Sequence, residues 1–188
     1  MLKYLVAGLG NIGPEYDNTR HNIGFKIADA LADKARASFV LDRHAFVSQF
    51  KNKGRTIVLI KPTTFMNLSG KAVQYWMQSE NIPIDKLIVL VDDLALPFGQ
   101  IRIKAKGGDG GHNGLKDITE ILKSDNYARL RFGIGNEFNK GKQVDYVLGE
   151  WSDEEKRLLE ARISLSCEAI MNFTFSGLNF VMNTYNNK

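Results

Sequence analysis

Leu87-Ile88-Val89-Leu90-Val91-Asp92-Asp93 is a continuous apolar run that stops on two carboxylates. A strand covered on both faces needs such a run rather than polar–apolar alternation, so the stretch predicts a central strand ending at Asp92. Downstream, Ile101 and Ile103 alternate with Arg102 and Lys104 as in a half-exposed strand, and the glycine-dense stretch 107–114 must be a loop. A helix over 115–122 and a strand over 130–134 follow. Ser152 and Glu155 then form a capping box opening a C-terminal helix expected to bury Leu158, Leu159, Ile163, Cys167 and Ile170.

Upstream the same alternation holds. Residues 4–9 read as a buried strand, and 22–35 place Ile23, Ile27, Ala30, Leu31 and Ala35 on one helical stripe. Segments 45–50 and 56–60 form a hairpin across Lys51-Asn52-Lys53-Gly54, and 69–78 carries an amphipathic helix through Val73, Trp76 and Met77. Strands alternating with helices predict an α/β architecture, and the hairpin makes the sheet mixed. No repeat, low-complexity tract or linker interrupts the 188 residues, so one domain over 1–188 is expected.

The bulk properties narrow the class. Hydrophobic residues make up 44% of the chain, enough for a real core, and 25 basic against 21 acidic residues give a charge of +4 that suits an anionic partner without demanding one. The single cysteine, Cys167, has no disulfide partner, and no Cys/His cluster has structural-zinc spacing, which fits a reducing cytoplasm. The N-terminal apolar run is too short and glycine-broken for a signal peptide, and no stretch could span a bilayer, so a soluble protein without a membrane partner is expected.

Gly8, Gly10 and Gly13 satisfy the dinucleotide-binding pattern after a strand. Two features argue against an oxidoreductase. Residues 14–18 prolong the loop where a helix should open under the pyrophosphate, and the acidic residue needed about 20 positions on would fall inside a helix, at Asp29 or Asp33.

Three polar segments carry more chemistry. In Thr19-Arg20-His21-Asn22, a histidine beside a helix start is poorly stabilised as a cation, so His21 reads either as a neutral base or as part of a capping cluster. The stretch 61–70 crowds hydroxyls and the Asn67 amide around Phe65 and Met66, and reads either as a site wall with a carbonyl-polarising donor or as a cap for the next helix. Asp92, at the end of a strand, can orient an imidazole. Glycines 107–114 allow backbone N–H groups close to a phosphate or nucleoside, with Lys104, Lys106 and Lys116 around them, unless the loop is simply solvated. His44 falls outside these segments and reads as a hairpin or surface residue.

From Tyr4 to about Gly149 the chain resembles the bacterial-type peptidyl-tRNA hydrolases. The resemblance rests on Gly8-Leu9-Gly10-Asn11 followed by Tyr16 and Thr19 to Gly24, on Pro62 to Gly70, and on Gly110 to Ile118, in that order and spacing. Ile12 stands where the family usually has proline, and Asp109 occupies a variable position. The resemblance implies a twisted mixed sheet flanked by helices in one cytoplasmic, monomeric domain. It implies hydrolysis of the ester between a peptide and the 3′-terminal ribose of tRNA, with no metal or cofactor. His21 would be the general base activating water and Asp92 its orienting partner, with Asn67 as oxyanion donor and Asn11 distinguishing blocked from free aminoacyl-tRNA. Tyr16, Phe65, Asn67 and Asn113 would bind the tRNA end, Lys104 and Arg131 would reach phosphates, and His112 would stack on the terminal base or ribose. A non-catalytic RNA-binding relative on the same fold is the competing reading.

Overall fold

In a computed structural model that describes residues 1–188 throughout, the run at 87–93 lies inside a seven-stranded sheet. The strands are β1 (Leu2–Gly8), β2 (Val40–Asp42), β3 (Ala45–Asn52), β4 (Arg55–Pro62), β5 (Leu87–Asp93), β6 (Ile101–Lys104) and β7 (Ala128–Gly133), ordered β2-β3-β4-β1-β5-β7-β6. The inner four are mutually parallel, and antiparallel partners flank them at both edges, which makes the sheet mixed as expected. Six helices complete the single domain: α1 (Ile23–Lys34), α2 (Ser69–Glu80), α3 (Asn113–Leu122), α4 (Gln143–Val147), α5 (Asp153–Ser176) and α6 (Leu178–Tyr185).

Each inner strand is buried on both faces because its side chains alternate between two cores. Ile88 and Leu90 of β5 join Val6, Ile27, Leu31, Ile170 and Phe173 under α1, α5 and α6. Val89 and Val91 join Leu5, Ile60, Val73, Trp76, Leu115 and Ile118 under α2 and α3. Leu90 is fully buried, and truncating it to alanine should cost about 2–5 kcal/mol through lost transfer energy and a cavity.

The topology creates a crevice. From β1 the chain proceeds through α1 to β4 on one side, whereas β5 leads toward β7 on the other, so the carboxyl ends of β1 and β5 form a switch point, the usual place for a site in an open α/β sheet. The start of α1 passes directly over these ends. A Cβ on Gly24 would come within 2.5 Å of Leu9 N and Leu90 O, so only glycine lets the helix sit this close. The glycine-patterned loop after β1 holds two 3₁₀ turns (Pro14–Tyr16 and Arg20–Asn22), and α1 opens only at Ile23, which is not a dinucleotide-binding turn.

Three elements escaped the sequence reading, and one burial expectation is corrected. β2 is a three-residue edge strand with every residue exposed, and α4 buries nothing, so neither leaves an apolar period. The C-terminal helix breaks at Gly177 into α5 and α6. Leu158 is 52% exposed instead of buried, because the first turns of α5 overhang the sheet and the helix is buried only from Ser166 onward. His44 lies in the β2–β3 turn with its ring edge-on to Tyr75. No helix is long and apolar enough to cross a membrane.

Candidate active site

Asp92 closes β5 at the crevice with 5% of its surface exposed. The 3₁₀ turn before α1 swings His21 over it, and His21 Nδ1 lies 2.9 and 3.0 Å from the two Asp92 carboxylate oxygens. With Nδ1–H donating to the carboxylate, the Nε2 lone pair is left without a protein partner.

Asp92 has a second partner on its other side. His112 is the N-cap of α3: its Nδ1 accepts from the Gly114 and Leu115 N–H groups at 3.1 and 3.4 Å, which places the ring proton on Nε2, 2.9 Å from Asp92 Oδ1. Burial alone would push the Asp92 carboxyl up, but the two imidazoles and their hydrogen bonds outweigh it and hold the carboxyl well below the usual carboxylate range. His112 is buried with both ring nitrogens engaged, so it braces Asp92 and α3 while still lining the cavity.

The sequence showed no metal-ligand cluster, yet the fold brings ligand atoms of His21, Asp92 and His112 within 4.8 Å of one another. Hydrogen bonds to the shared carboxylate account for both ring-to-carboxylate contacts.

Asn11 and Asn22 form a reciprocal pair that sequence reasoning only half found. Asn22 is fully buried; its Oδ1 accepts from the Asn11 backbone N–H and its Nδ2 donates to the Asn11 carbonyl, each at 2.8 Å. This fixes the Asn11 backbone and presents its side chain to the segment 61–70, where Asn11 Oδ1 accepts from the Met66 N–H at 2.8 Å. One lone pair of Oδ1 is thus engaged, while the Nδ2 donors have no protein partner.

His21, Asp92 and His112 sit at a cavity of about 210 Å³ also lined by Gly111, Asn113 and Arg131, with Leu94 and Ala95 on one side and Gln143, Val144 and Val147 on the other; Asn11 and Asn22 lie outside its lining. The remaining expected residues scatter around it. Tyr16 is half-buried in a 3₁₀ turn, Asn113 is exposed at the mouth, and Phe65 is 59% exposed. Asn67 is exposed and does not line the cavity. Arg131 lines it but is committed, donating to the Gly108 carbonyl at 2.8 Å and lying 3.8 Å from Asp93. Lys104 pairs with Arg129, which pairs with Val89, three residues down β5 from Asp92, so its Cα lies about 10 Å below the crevice.

Comparison with known proteins shows the family to which the chain belongs. Residues 5–188 match the family model described as peptidyl-tRNA hydrolase. The chain is 54% identical over 187 residues to the peptidyl-tRNA hydrolase of Bacteroides fragilis, covering 100% of both chains, and 52% identical to that of Porphyromonas gingivalis, covering 98% and 100%. It is similar to the crystal structure of peptidyl-tRNA hydrolase from Acinetobacter baumannii, with a TM-score of 0.92 and 34% identity over 97% of this chain and 94% of that one.

Proposed function

Since the chain belongs to the peptidyl-tRNA hydrolase family and hydrolyses the ester joining a peptide or N-blocked amino acid to tRNA, we propose how its own residues carry that reaction. His21 is the general base. Its Nε2 takes a proton from a water molecule as the oxygen attacks the ester carbonyl, and the imidazolium then returns that proton to the departing ribose 3′ oxygen. Asp92 fixes the tautomer and stabilises the imidazolium. The observation that carries this reading is the two-oxygen grip of Asp92 on His21 Nδ1, which leaves Nε2 as the free nitrogen at the cavity.

The tetrahedral oxyanion needs donors. Neither Asn11 nor Asn67 lines the cavity; we assign the role to Asn11 Nδ2 because that side chain is buried and held by the Met66 N–H, and place the exposed Asn67 with Tyr16, Phe65 and Asn113 among groups that grip the tRNA end. The same donor set favours a blocked substrate. A peptide or acetyl carbonyl can accept from Nδ2, whereas a free ammonium brings only donors and would face another donor across a dry contact. Lys104, with Lys106 just before the glycine loop and Lys116 in α3, fits phosphates farther along the tRNA.

A monomer acting in the cytoplasm is part of the same reading, and a lone buried cysteine fits that site of action. The non-catalytic RNA-binding reading finds no support. The decisive experiment follows release of the blocked amino acid from N-acetylaminoacyl-tRNA by the wild type and by His21→Ala; wild-type-like turnover by the variant would end the proposal.

A further inference from the structure

One wall of the cavity is α4, five residues of which none is fully buried and which contributes Gln143, Val144 and Val147 to the cavity. Its own anchors are few: Tyr146 and Val147 lean on the core, and Tyr146 Oη donates to the Ile134 carbonyl. A helix this short does not persist on its own in water, so its position depends on tertiary contacts.

The polar part of that anchoring comes largely from the residue beside the base. The Arg20 guanidinium lies 4.2 Å from the Tyr146 ring centroid and 5.8 Å from that of Trp151. Its Nη1 donates to the Tyr146 carbonyl at 3.2 Å and its Nη2 to Glu155 Oε2 at 3.0 Å. The Arg20 backbone N–H donates to the Gly149 carbonyl at 3.0 Å, and Thr19 bridges to Glu150. Arg20 and Glu155 side chains are only 12% and 15% exposed, so little water competes for the pair. One planar fork thus ties the turn carrying His21 to the inner side of α4 and to the cap of α5, where Glu155 also receives the Ser152 N–H at 2.7 Å.

We propose that Arg20 is a positioning residue for substrate binding: it fixes the α4 wall relative to His21 and so sets the cavity's width over the reacting ester. The inference rests on the cavity being the reaction site, but its first readout does not. Arg20 acts on the wall, not on the His21–Asp92 pair, whose hydrogen bonds it does not share.

Hydrogen exchange of full-length Arg20→Ala should accelerate at the Tyr146, Leu148 and Gly149 amides by about tenfold or more while the sheet and the second half of α5 keep wild-type protection. With N-acetylaminoacyl-tRNA, KM should rise about tenfold, and the pH dependence of kcat should stay as in the wild type. Arg20→Lys should restore little, because an ammonium cannot stack on Tyr146 while reaching both oxygens. Should Arg20→Ala not fold, Glu155→Gln keeps the capping box, removes the charge, and should move exchange and KM the same way by about twofold to threefold. Unchanged exchange at 146–149 overturns the positioning role whatever the activity. Faster exchange with an unchanged KM overturns the link to substrate, and a displaced pH profile of kcat shows that Arg20 acts on the base instead.

Discussion

The cavity floor and its rim are built differently. On the floor, Asp92 is held by His21 and His112, His112 by the start of α3, and Asn11 by Asn22 and Met66, with nearly every polar atom spoken for. On the rim and the outer surface that continues it, Phe65, Asn67, Asn113 and, about 10 Å below the crevice, Lys104 are exposed, and no side-chain hydrogen bond holds any of them. A charge that develops for an instant is stabilised only by groups already in place, whereas a flexible polyanion can be gripped by side chains that adapt to it. Floor substitutions should therefore change kcat, and rim substitutions KM and its salt dependence.

The largest effect is expected from His21→Ala, a fall in kcat of about 10²–10⁴ with tRNA affinity kept, measured by single-turnover hydrolysis beside a binding assay. Loss of affinity in step with kcat would merge floor and rim. Asp92→Asn should lower kcat by roughly 10² because the imidazole loses its orienting acceptor. The same variant tests linkage. The folded carboxyl is depressed, so Asp92 contributes stability above its unfolded pKa of about 3.9, and this is lost as pH falls further. Wild-type stability should consequently drop more steeply below about pH 4 than that of Asp92→Asn; parallel acid-unfolding curves would contradict the depressed carboxyl.

His112→Asn sharpens the comparison from within the floor. Asparagine replaces the α3 cap but not the reach to Asp92, so Tm should stay within a few degrees while kcat falls about tenfold; His112→Ala should add about 1 kcal/mol of destabilisation. A full wild-type kcat in His112→Asn would reduce His112 to a cap. Asn11→Asp should narrow the ratio of kcat/KM for blocked against free aminoacyl-tRNA, since a carboxylate draws an ammonium and repels a carbonyl. An unmoved ratio would place discrimination elsewhere.

Much of this was readable because it is local. The continuous run at 87–91 is enough to make β5 central, and the stop at Asp92 marks the crevice, since both depend on neighbours in sequence. His21 and Asp92 stood out as candidates from their own segments, whereas the choice of His21 as base and of Asn11 as discriminator was implied by the family resemblance. The brace by His112 was not readable, because it needs a hydrogen bond across 20 residues and a ring tautomer set by the backbone of α3. Asn22 looked like part of a cap, and its pairing with Asn11 appears only once the loop folds back. The setting of Asn67 was unreadable for the opposite reason: an amide among hydroxyls suggests a site, but its exposure is set by the fold, and Asn67 is exposed.

The smallest effects belong to the rim and they complete the test. Lys104→Ala should leave kcat unchanged, raise KM a few-fold, and reduce the slope of log KM against log salt by about 0.7–0.9. The most direct measurement runs His21→Ala and Lys104→Ala side by side on N-acetylaminoacyl-tRNA, recording the saturated single-turnover rate and the tRNA dissociation constant across salt. The account predicts that the first variant loses rate at wild-type affinity and the second loses affinity at wild-type rate; both losses appearing together in either variant would contradict it.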